Sequence, residues 1–366
     1  MIVSRGLWSI VTLSGLLMLT TGCQSPPHAV TMFPALPAPV ANNAVATITT
    51  ERGDFLVSFN GLLEGKEWRD TTARAFLLPP GANAWESIDD VPGNHGRLAS
   101  IAVGSGPYAY VFGGYTVAED HTEVSLPVVH RFDPVLRTFK RLADMPVPVD
   151  DAMAFVWRDR YIFLVSGWHD TANVNLVQRY DIDTDSWVQA TAYPGAPVFG
   201  HSGGMVGDTM VICGGVKIRT HAERAREFVM NTECFAGTVR ENDTRRIDWH
   251  VIAPMPGPPR YRMAAAGSVA LAGVVFVGGS DNPYNYNGIG YNGSPSSPRE
   301  EIWLYDTQQS RWRSLGRQGV PSMDHRGLPE TKAGFVTVGG MLEGQVVTNR
   351  VVHFPMMNPR SSRREH

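Results

Sequence analysis

The sequence predicts an all-β fold made of six copies of one structural unit. Two features recur six times in the same order along the 366-residue chain, which is typical of repeat architectures. The first is a hydrophobic residue followed by proline: Leu36-Pro37, Val91-Pro92, Met145-Pro146, Tyr193-Pro194, Met255-Pro256 and Val320-Pro321. The second is an apolar run that ends, 19 to 24 residues after the proline, in a pair of small residues: Asn60-Gly61, Gly113-Gly114, Ser166-Gly167, Gly214-Gly215, Gly278-Gly279 and Gly339-Gly340.

Each unit is expected to contain four strands. In the third unit, residues 152–156 and 161–165 are apolar and flank a short turn, so they are predicted as the two inner strands. The third strand is expected to end in an aromatic residue followed by Asp, and a hairpin leads from there into an outer fourth strand. A second aromatic residue follows the first by seven positions in three units: Phe132 and Phe139, Tyr180 and Trp187, Tyr305 and Trp312.

Six units of four strands predict a six-bladed β-propeller over residues 31–356. The last unit lacks one strand, because the chain offers only residues 351–354 after its glycine pair. Residues 31–33 are therefore expected to form the missing outer strand of the sixth blade. This pairing would close the ring and join the two ends of the domain.

The order of these features, an apolar run, Gly-Gly, Tyr-Asp, Trp and Met-Pro, resembles the kelch repeat over the whole predicted propeller. The chain is also similar to kelch-type N-acetylneuraminate epimerases, secreted bacterial propellers of similar length. That resemblance implies mutarotation of a sialic acid by a general acid/base, with a cation near the sugar carboxylate. The epimerases carry a Glu directly after the small-residue pair of the fourth blade and an Arg a few residues later. Here Val216 occupies the first position, and Arg219 matches the second.

Galactose oxidase shares the propeller architecture, but its copper site is not recognisable in this sequence. That site is formed by tyrosines, histidines and a cysteine-modified tyrosine. Because Cys213 and Cys234 both fall on predicted blade strands, copper oxidase chemistry is excluded. Neither the cysteines nor any other motif predicts a metal, and no cofactor is expected.

Residues 1–22 resemble a bacterial lipoprotein signal peptide. Arg5 gives a basic start, and the apolar stretch that follows is too short to span a bilayer comfortably. Lipidation is expected at Cys23, with ordinary secretion or an uncleaved anchor as the alternatives. Gln24 follows the cysteine, which by resemblance to enteric-type sorting rules implies the periplasmic face of the outer membrane. Residues 23–30 would then form a short tether.

The two remaining cysteines, Cys213 and Cys234, are predicted on adjacent strands of the fourth blade. In an oxidising compartment they are expected either to form a disulfide or to remain two buried thiols. The spacing leaves both possibilities open.

Composition argues against nucleic acid as a partner. The chain has 32 basic and 35 acidic residues, a net charge of −3, and no long basic run. The basic tail, residues 357–366, is expected to be a solvated end. A monomer is expected, whose partner is either a carbohydrate ligand or another envelope protein.

Two long connections between second and third strands are expected to contribute to function, because long ordered loops are usually functional. In the fourth blade, residues 217–231 include Arg219. In the fifth blade, residues 280–299 combine aromatic rings with side-chain amides, a mixture suited to sugar recognition: Tyr284, Tyr286, Tyr291, Asn285 and Asn287. The alternative is that these tyrosines cap the core and the asparagines form turns.

The connections between blades are expected to ring the mouth of a central channel. They bring together charged and polar residues suited to an anionic or polyhydroxylated ligand: His95, Arg97, Asp150, Asp151, His201, Arg260, Arg262, Asp324, His325 and Arg326. For His201 and Arg260 a purely structural role is the alternative, because ordinary kelch repeats carry Gly-His-Ser and Pro-Arg at these places.

The resulting hypothesis is an envelope lipoprotein that binds a carbohydrate or an acidic sugar-like ligand at this mouth. If the protein is an enzyme, a sugar mutarotase is expected, with His325, Arg219 and Asp324 as catalytic candidates. The third alternative is a protein-interaction platform.

Overall fold

The computed structural model describes Met1 and residues 33–93, 95–221 and 224–355. Apart from Met1, the predicted signal peptide lies outside the described residues, as do Cys23, the tether, Thr31, Met32 and the polar tail. Within the described part the protein is almost entirely β-structure, with two 3-10 turns, η1 (Trp68–Asp70) and η2 (Glu343–Gln345). No helix there has the length and apolar character that crossing a bilayer requires.

Six antiparallel sheets form the blades. Blade 1 contains β1 (Ala44–Thr50), β2 (Gly53–Leu62), β3 (Thr71–Leu78) and β4 (Glu86–Ile88). Blade 2 contains β5 (Ile101–Ser105), β6 (Tyr108–Phe112), β9 (Val129–Asp133) and β10 (Thr138–Arg141). Blade 3 contains β11 (Met153–Trp157), β12 (Tyr161–Val165), β15 (Val177–Asp181) and β16 (Ser186–Gln189).

The other three blades follow the same plan. Blade 4 contains β17 (Ser202–Val206), β18 (Thr209–Cys213), β21 (Cys234–Arg240) and β22 (Asp243–Ile252). Blade 5 contains β23 (Ala264–Ser268), β24 (Gly273–Val277), β25 (Glu301–Asp306) and β26 (Arg311–Arg317). Blade 6 contains three described strands, β27 (Glu330–Thr331), β28 (Gly334–Val338) and β31 (Val351–Pro355). The prediction of an all-β, six-bladed propeller is confirmed.

Four short hairpins extend from the connections between second and third strands. They are β7 (Tyr115–Val117) with β8 (Glu123–Ser125), β13 (Trp168–His169) with β14 (Ala172–Asn173), β19 (Val216–His221) with β20 (Arg224–Met230), and β29 (Met341–Leu342) with β30 (Val346–Val347). The segment 217–231, which the sequence predicts as a long loop, is therefore mostly hairpin. In contrast, residues 280–299 of blade 5 contain no named strand.

Small residues on the inner strands allow the blades to converge around the channel. A Cβ atom on Gly104 of β5 would lie 1.9 Å from the carbonyl oxygen of Thr47 on β1. A Cβ on Gly267 of β23 would lie 1.9 Å from the carbonyl oxygen of Met205 on β17. Because neighbouring inner strands approach this closely, larger residues would force the blades apart.

Aromatic residues in the fourth strands, or directly before them, fill the space between blades. Their rings pack on the preceding blade, as Trp187 does against Phe112 with ring centroids 6.0 Å apart. The indole N–H groups also donate to carbonyl oxygens of the connection that precedes the blade: Trp85 to Pro34 at 2.8 Å, Trp187 to Ala143 at 3.0 Å, Trp249 to Thr191 at 3.4 Å and Trp312 to Ala253 at 2.8 Å. The same residue thus packs the blades together and hydrogen-bonds the chain between them.

The small-residue pairs end the second strands with two residues of positive φ. In blade 4, φ is 73° at Gly214 and 82° at Gly215. In every pair, the second residue packs directly on a residue at the start of the same blade. These residues are Asn43, Ser100, Ala152, His201, Met263 and His325. A side chain on the second glycine would overlap these residues, so the pair is required for packing as well as for backbone conformation.

The described N-terminal segment joins blade 1 to blade 6. Thr31 and Met32 of the predicted outer strand lie outside the described residues, so that strand stays a prediction. Phe33 has no strand partner, and its ring packs on His353 of β31 with centroids 5.5 Å apart. The N–H of Leu36 donates to the carbonyl oxygen of Asn349 at 2.8 Å, and that of Val40 to Thr348 at 3.2 Å. The chain ends therefore meet through these contacts within the described residues.

A disulfide lies inside blade 4. Cys213 and Cys234 stand directly opposite each other on β18 and β21, with their Cα atoms 4.3 Å apart, and their sulfurs are bonded. Both residues are buried.

Candidate ligand-binding site

Six equivalent chain segments meet at the centre of one face of the propeller. This face, here called the loop face, carries the connections between blades and those between second and third strands. In every blade the two connections touch through one β-bridge: Ala41 with Leu62, Leu98 with Tyr115, Asp150 with Trp168, Phe199 with Val216, Tyr261 with Ser280 and Met323 with Met341. The residue that follows the bridge has a positive φ in all six blades: Asn42, Ala99, Asp151, Gly200, Arg262 and Asp324.

Hydrogen bonds link these six residues, here called the central ring, from blade to blade. The N–H of Gly200 donates to the carbonyl oxygen of Asp151 at 2.9 Å, and that of Arg262 to Gly200 at 2.8 Å. Equivalent bonds join Asp151 to Ala99 and Asn42 to Asp324, both at 3.1 Å. The remaining two contacts run from the N–H of Ala99 to Asn42 Oδ1 and from the N–H of His325 to the carbonyl oxygen of Arg262. The circuit passes through all six blades.

Four charged side chains lie at the central ring, each at most 3% exposed. Arg262 pairs with Asp151 through Nη2 and Oδ2 at 2.5 Å, and with Asp324 through Nη1 and Oδ1 at 3.2 Å. Arg326 Nη2 lies 3.0 Å from the other oxygen of Asp151 and 3.6 Å from Asp324. Two cations and two anions are thus buried together, which allows charges to remain in the interior. We call this group the four-charge cluster.

The two aspartates of the cluster differ in their electrostatics. Burial alone would raise the pKa of Asp151, but the guanidinium groups of Arg262 and Arg326 outweigh it and hold the pKa below its usual value. Burial raises the pKa of Asp324 despite the same two cations. Asn42 donates from Nδ2 to Asp324 Oδ1 at 3.1 Å.

The cluster lies between two cavities. Arg326 lines the central channel, a cavity of about 250 Å³ bounded by the inner strands of all six blades. Arg262 lines a second cavity of about 180 Å³ on the loop face, here called the loop-face pocket. The pocket walls come from blades 2 to 5 and combine five aromatic rings with four charged or acidic groups and one amide: Tyr115, Trp168, Phe199, Phe228, Tyr291, Glu123, Asp150, Asp151, Arg262 and Asn285.

The long connection of blade 5 reaches across the face to blade 2. Asn285 Nδ2 donates to Glu123 Oε1 at 2.8 Å, and the hydroxyl of Tyr115 donates to Asn285 Oδ1 at 3.4 Å. Beside them, the hydroxyl of Tyr286 lies 3.2 Å from Nδ1 of His121. These contacts join blades that are not neighbours in the ring, and they build one wall of the pocket.

Two carboxyl groups of the pocket lie in a setting that favours their neutral form. Burial, reinforced by neighbouring Asp151, raises the pKa of Asp150 well above its usual value, although the hydroxyl of Ser125 donates to Asp150 Oδ2 at 2.6 Å. Burial also raises the pKa of Glu123, against the opposing effect of the hydrogen bond from Asn285. Among the residues that the structure describes, no set of three His, Cys, Asp or Glu side chains is placed to hold a metal ion.

Comparisons with known proteins agree with this architecture. No family model matches the sequence. Kelch-like protein 15 of Gallus gallus is 31% identical over 139 residues, which are 38% of this chain and 27% of that protein. Kelch-like protein 15 of Mus musculus is 28% identical over 239 residues, which are 64% of this chain and 37% of that protein. The solved structure of YjhT superposes with a TM-score of 0.70 and 15% identity over 89% of this chain and 98% of that one.

The protein is a kelch-repeat β-propeller. The chain spans 27 to 37% of the length of these curated relatives, and at 15% identity the likeness to YjhT concerns the fold alone. The site of this kelch propeller must therefore be interpreted from its own residues.

Some of the residues predicted from sequence do meet at this site. Arg262, Asn285 and Tyr291 line the loop-face pocket. Asp324 and Arg326 belong to the four-charge cluster behind it. Tyr284 is fully buried against Tyr261, and Tyr286 contacts blade 2, so these two tyrosines support the pocket without lining it.

The structure places the remaining predicted residues elsewhere. His201 and His325 are buried inside their blades, where Nε2 of His201 contacts the carbonyl oxygen of Val165 at 3.0 Å and Nε2 of His325 contacts Ser322 Oγ at 2.9 Å. Burial lowers the pKa of His201 to about 4 and, together with Arg326, that of His325 to about 3. Neither imidazole lines the pocket. The prediction of catalysis by His325 therefore has no support from its position.

Arg260, Arg219, Asn287 and His95 also lie apart from the pocket. Arg260 pairs with Glu301 at 3.0 Å and lines a separate cavity of about 220 Å³. Arg219 is exposed on β19 and pairs with Glu227 at 3.4 Å. Asn287 accepts the N–H of Ile289 at 3.0 Å in a turn, and His95 is exposed.

Sequence reasoning missed Glu123, Trp168 and Phe228, which all lie on hairpins of the loop face. The sequence places Asp150 and Asp151 at the mouth of the channel, and both line the pocket. One sequence feature could have indicated the hairpin residues: the connections in blades 2 to 4 are each long enough to carry a hairpin.

Proposed function

We propose that the kelch propeller is a binding protein whose loop-face pocket takes a small polyhydroxylated ligand, a sugar of about monosaccharide size. The observation that carries this proposal is the combination, in one cavity of about 180 Å³, of aromatic rings with carboxyl, amide, hydroxyl and guanidinium groups. Drug-sized ligands occupy cavities of about 300–1,000 Å³, so the pocket suits a smaller molecule.

The polar groups supply both kinds of hydrogen-bonding partner that a sugar hydroxyl needs. Neutral Asp150 and the hydroxyl of Tyr115 can donate or accept, and the amide of Asn285 offers both functions. Arg262, which lines the pocket, has one donor, Nε, without a hydrogen-bond partner among the described residues. The rings of Phe228 and Tyr291 stack at 4.0 Å with planes 17° apart, so the wall is a rigid aromatic surface.

The test is calorimetric titration of the purified protein with a panel of neutral, acidic and amino monosaccharides. Binding is expected for at least one sugar and should weaken about fivefold or more in Tyr291→Ala, since ring contacts contribute about 1 kcal/mol or more. Ile289→Ala is the matched control, because Ile289 lies in the same loop and is 39% exposed outside the pocket. Failure of every sugar to bind would refute the proposal and favour a protein-interaction platform.

Mutarotation is the second candidate function, favoured by two carboxyl groups with raised pKa values in one pocket. Close to its raised pKa, one of the two can be neutral and donate a proton to the ring oxygen while the other, once ionised, accepts from the anomeric hydroxyl. NMR exchange between the anomers of a bound sugar would test this. Acceleration that disappears in both Glu123→Gln and Asp150→Asn would establish the enzyme, and exchange at the uncatalysed rate would exclude it for that sugar.

We also propose that the protein is exported and lipid-anchored at Cys23. The bonded pair Cys213–Cys234 supports export, because disulfides persist mainly in oxidising compartments. Mass spectrometry of the mature N-terminus should find an acylated Cys23, and Cys23→Ala should leave the membrane fraction. An unmodified Cys23 would contradict the proposal.

A further inference from the structure

We infer that the ligand of the loop-face pocket carries a positive charge, an ammonium group held against the aromatic wall and beside the carboxyl groups of Glu123 and Asp150. The inference rests on the proposed function of the same pocket and specifies the chemistry of its ligand. An amino sugar combines the ammonium with the hydroxyl groups that the polar wall suits.

The aromatic wall has the composition of a cation-binding cage. Trp168, Phe199 and Phe228 form a mutually contacting trio with ring centroids 5.5 to 6.1 Å apart. Their planes are inclined by 40° to 86°, so the wall presents several ring orientations to the cavity. Tyr291 stacks on Phe228, and Tyr115 completes the set. Cages of this kind bind ammonium groups through the negative faces of the rings.

The neighbouring residues already show this interaction within the protein. The guanidinium of Arg262 lies 4.6 Å from the ring centroid of Tyr261 and 5.1 Å from that of Tyr284. Both distances fall inside the range of about 6 Å for cation–π contact. The aromatic layer of the loop face thus stabilises one buried cation, and the pocket beside it offers rings for a second.

The charges of the pocket do not balance without a ligand once both carboxyl groups ionise. Arg262, the guanidinium that lines the pocket, is paired with Asp151 and Asp324. In the part of the chain that the structure describes, neither Glu123 nor Asp150 takes part in an ion pair, and both are hydrogen-bonded to neutral groups, Asn285 and Ser125. A bound ammonium would supply their missing counter-charge.

An anionic ligand fits the same surroundings poorly. It would approach the ionised carboxylate of Asp151 and the carboxyl groups of Glu123 and Asp150, which offer it no counter-charge in either protonation state, while the single guanidinium of the wall is already shared between two aspartates. Like charges at close range in a partly buried site repel strongly. The acidic-ligand alternative predicted from the sequence is therefore disfavoured by the charges of the pocket.

Proton release provides a signature of the inferred charge. Burial raises the pKa values of Glu123 and Asp150, and a cation bound beside them would lower both. Cation binding should therefore expel protons, and its affinity should increase as the pH rises. A neutral sugar would produce neither effect to a comparable degree.

The experiment compares glucosamine, glucose, glucuronate and choline by calorimetric titration of the purified protein. Choline is included because its charge does not change with pH. We expect glucosamine to bind about tenfold or more tightly than glucose, glucuronate to bind weakest of the sugars, and choline to bind with an affinity that increases from about pH 5 to pH 8.

Two variants separate the charge from the fold. Glu123→Gln keeps an oxygen that can accept from Asn285, yet it should reduce the preference for glucosamine over glucose. Glu119→Gln is the matched control, because it removes the same charge from an exposed position of the same hairpin and should preserve the preference. Phe228→Leu should weaken choline binding while unfolding at a similar temperature.

Each outcome decides between the two proposals. Equal binding of glucose and glucosamine, or a preference for glucuronate, would overturn the charge inference and leave sugar binding intact. Choline binding without any sugar binding would support the charge and refute the proposed function. No binding of any probe at millimolar concentration would refute both.

Discussion

Asp150 and Asp151 are adjacent in sequence and almost equally buried, yet the pKa of Asp150 is raised and that of Asp151 is lowered. Asp151 lies between the guanidinium groups of Arg262 and Arg326, which stabilise its ionised form. Asp150 receives only a hydroxyl from Ser125 and lies beside the negative charge of Asp151. One residue therefore holds the four-charge cluster together, while its neighbour is available to a ligand.

Asp150→Asn should stabilise the folded protein at neutral pH. A carboxyl whose pKa is raised by folding contributes stability below its unfolded pKa and loses that contribution as the pH rises. The uncharged amide of the variant removes the free-energy cost of burying an ionised carboxyl at neutral pH. Its oxygen can still accept the hydroxyl of Ser125. Urea unfolding should show a gain at pH 7 that disappears near pH 4, the usual range of an aspartate. A lower stability of the variant at both pH values would show that the carboxyl of Asp150, and not only its charge, is needed for the fold.

At the residue scale, sequence identifies the types of residue that gather at the loop face better than the direction of each side chain. Asp324 and Arg326 reach the four-charge cluster, whereas His325 between them points into blade 6 and supports Gly340. The equivalent His201 supports Gly215 in the same way. Because histidine occupies the same position in two repeats, the sequence indicates a packing role for His201 and His325.

At the level of strands, repeats predict the blades well because each strand pairs locally with the next. The inner strands β11 and β12 match the predicted residues 152–156 and 161–165 within one residue. The connections are harder to predict, since nothing in the repeat determines them. Val216 to Arg219 alternate apolar and polar side chains as a strand does, but residues 224–230 do not keep this alternation, so the hairpin that the segment forms was predicted as a loop.

The disulfide of blade 4 should contribute measurably to stability. It closes a segment with a sequence separation of 21 residues, which includes the β19/β20 hairpin. Loops of this length correspond to about 3 kcal/mol in the chain-entropy model. The double variant Cys213→Ala, Cys234→Ala should lose about that amount in urea unfolding, and a reducing agent should destabilise the wild-type protein alone. An equal effect of the reducing agent on both proteins would show that it acts elsewhere.

At the scale of the whole molecule, the loop-face pocket exists only because the blades form a ring. Glu123 and Asn285 are 162 positions apart in sequence, and a connection of blade 5 must cross the face before they meet. No local pattern pairs such residues, so the sequence predicted half of the site from blade 5 and missed the half contributed by the hairpins of blades 2 to 4. The circular arrangement of blades was predictable, but the path of each connection across the face was not.

Closure of this ring is expected to depend on the segment before β1, and a substitution of Leu36 tests this expectation. The side chain is 2% exposed and packs with Leu56 and Phe76 of blade 1 and Val336 and Val338 of blade 6. Leu36→Ala should therefore cost about 3 kcal/mol, as expected for a buried leucine whose cavity only partly collapses.

Leu136→Ala is the control for this substitution, because Leu136 is 70% exposed in a turn of blade 2, and its loss should change the unfolding free energy by less than about 0.5 kcal/mol. Both variants are compared by urea unfolding and by proteolysis of the native protein. If the loss of Leu36 opens the junction between blades 1 and 6, cleavage should begin in these blades, while blade 4 remains protected by its disulfide. Equal stability of the two variants would show that strand pairing within blades, and not the meeting of the chain ends, keeps the propeller closed.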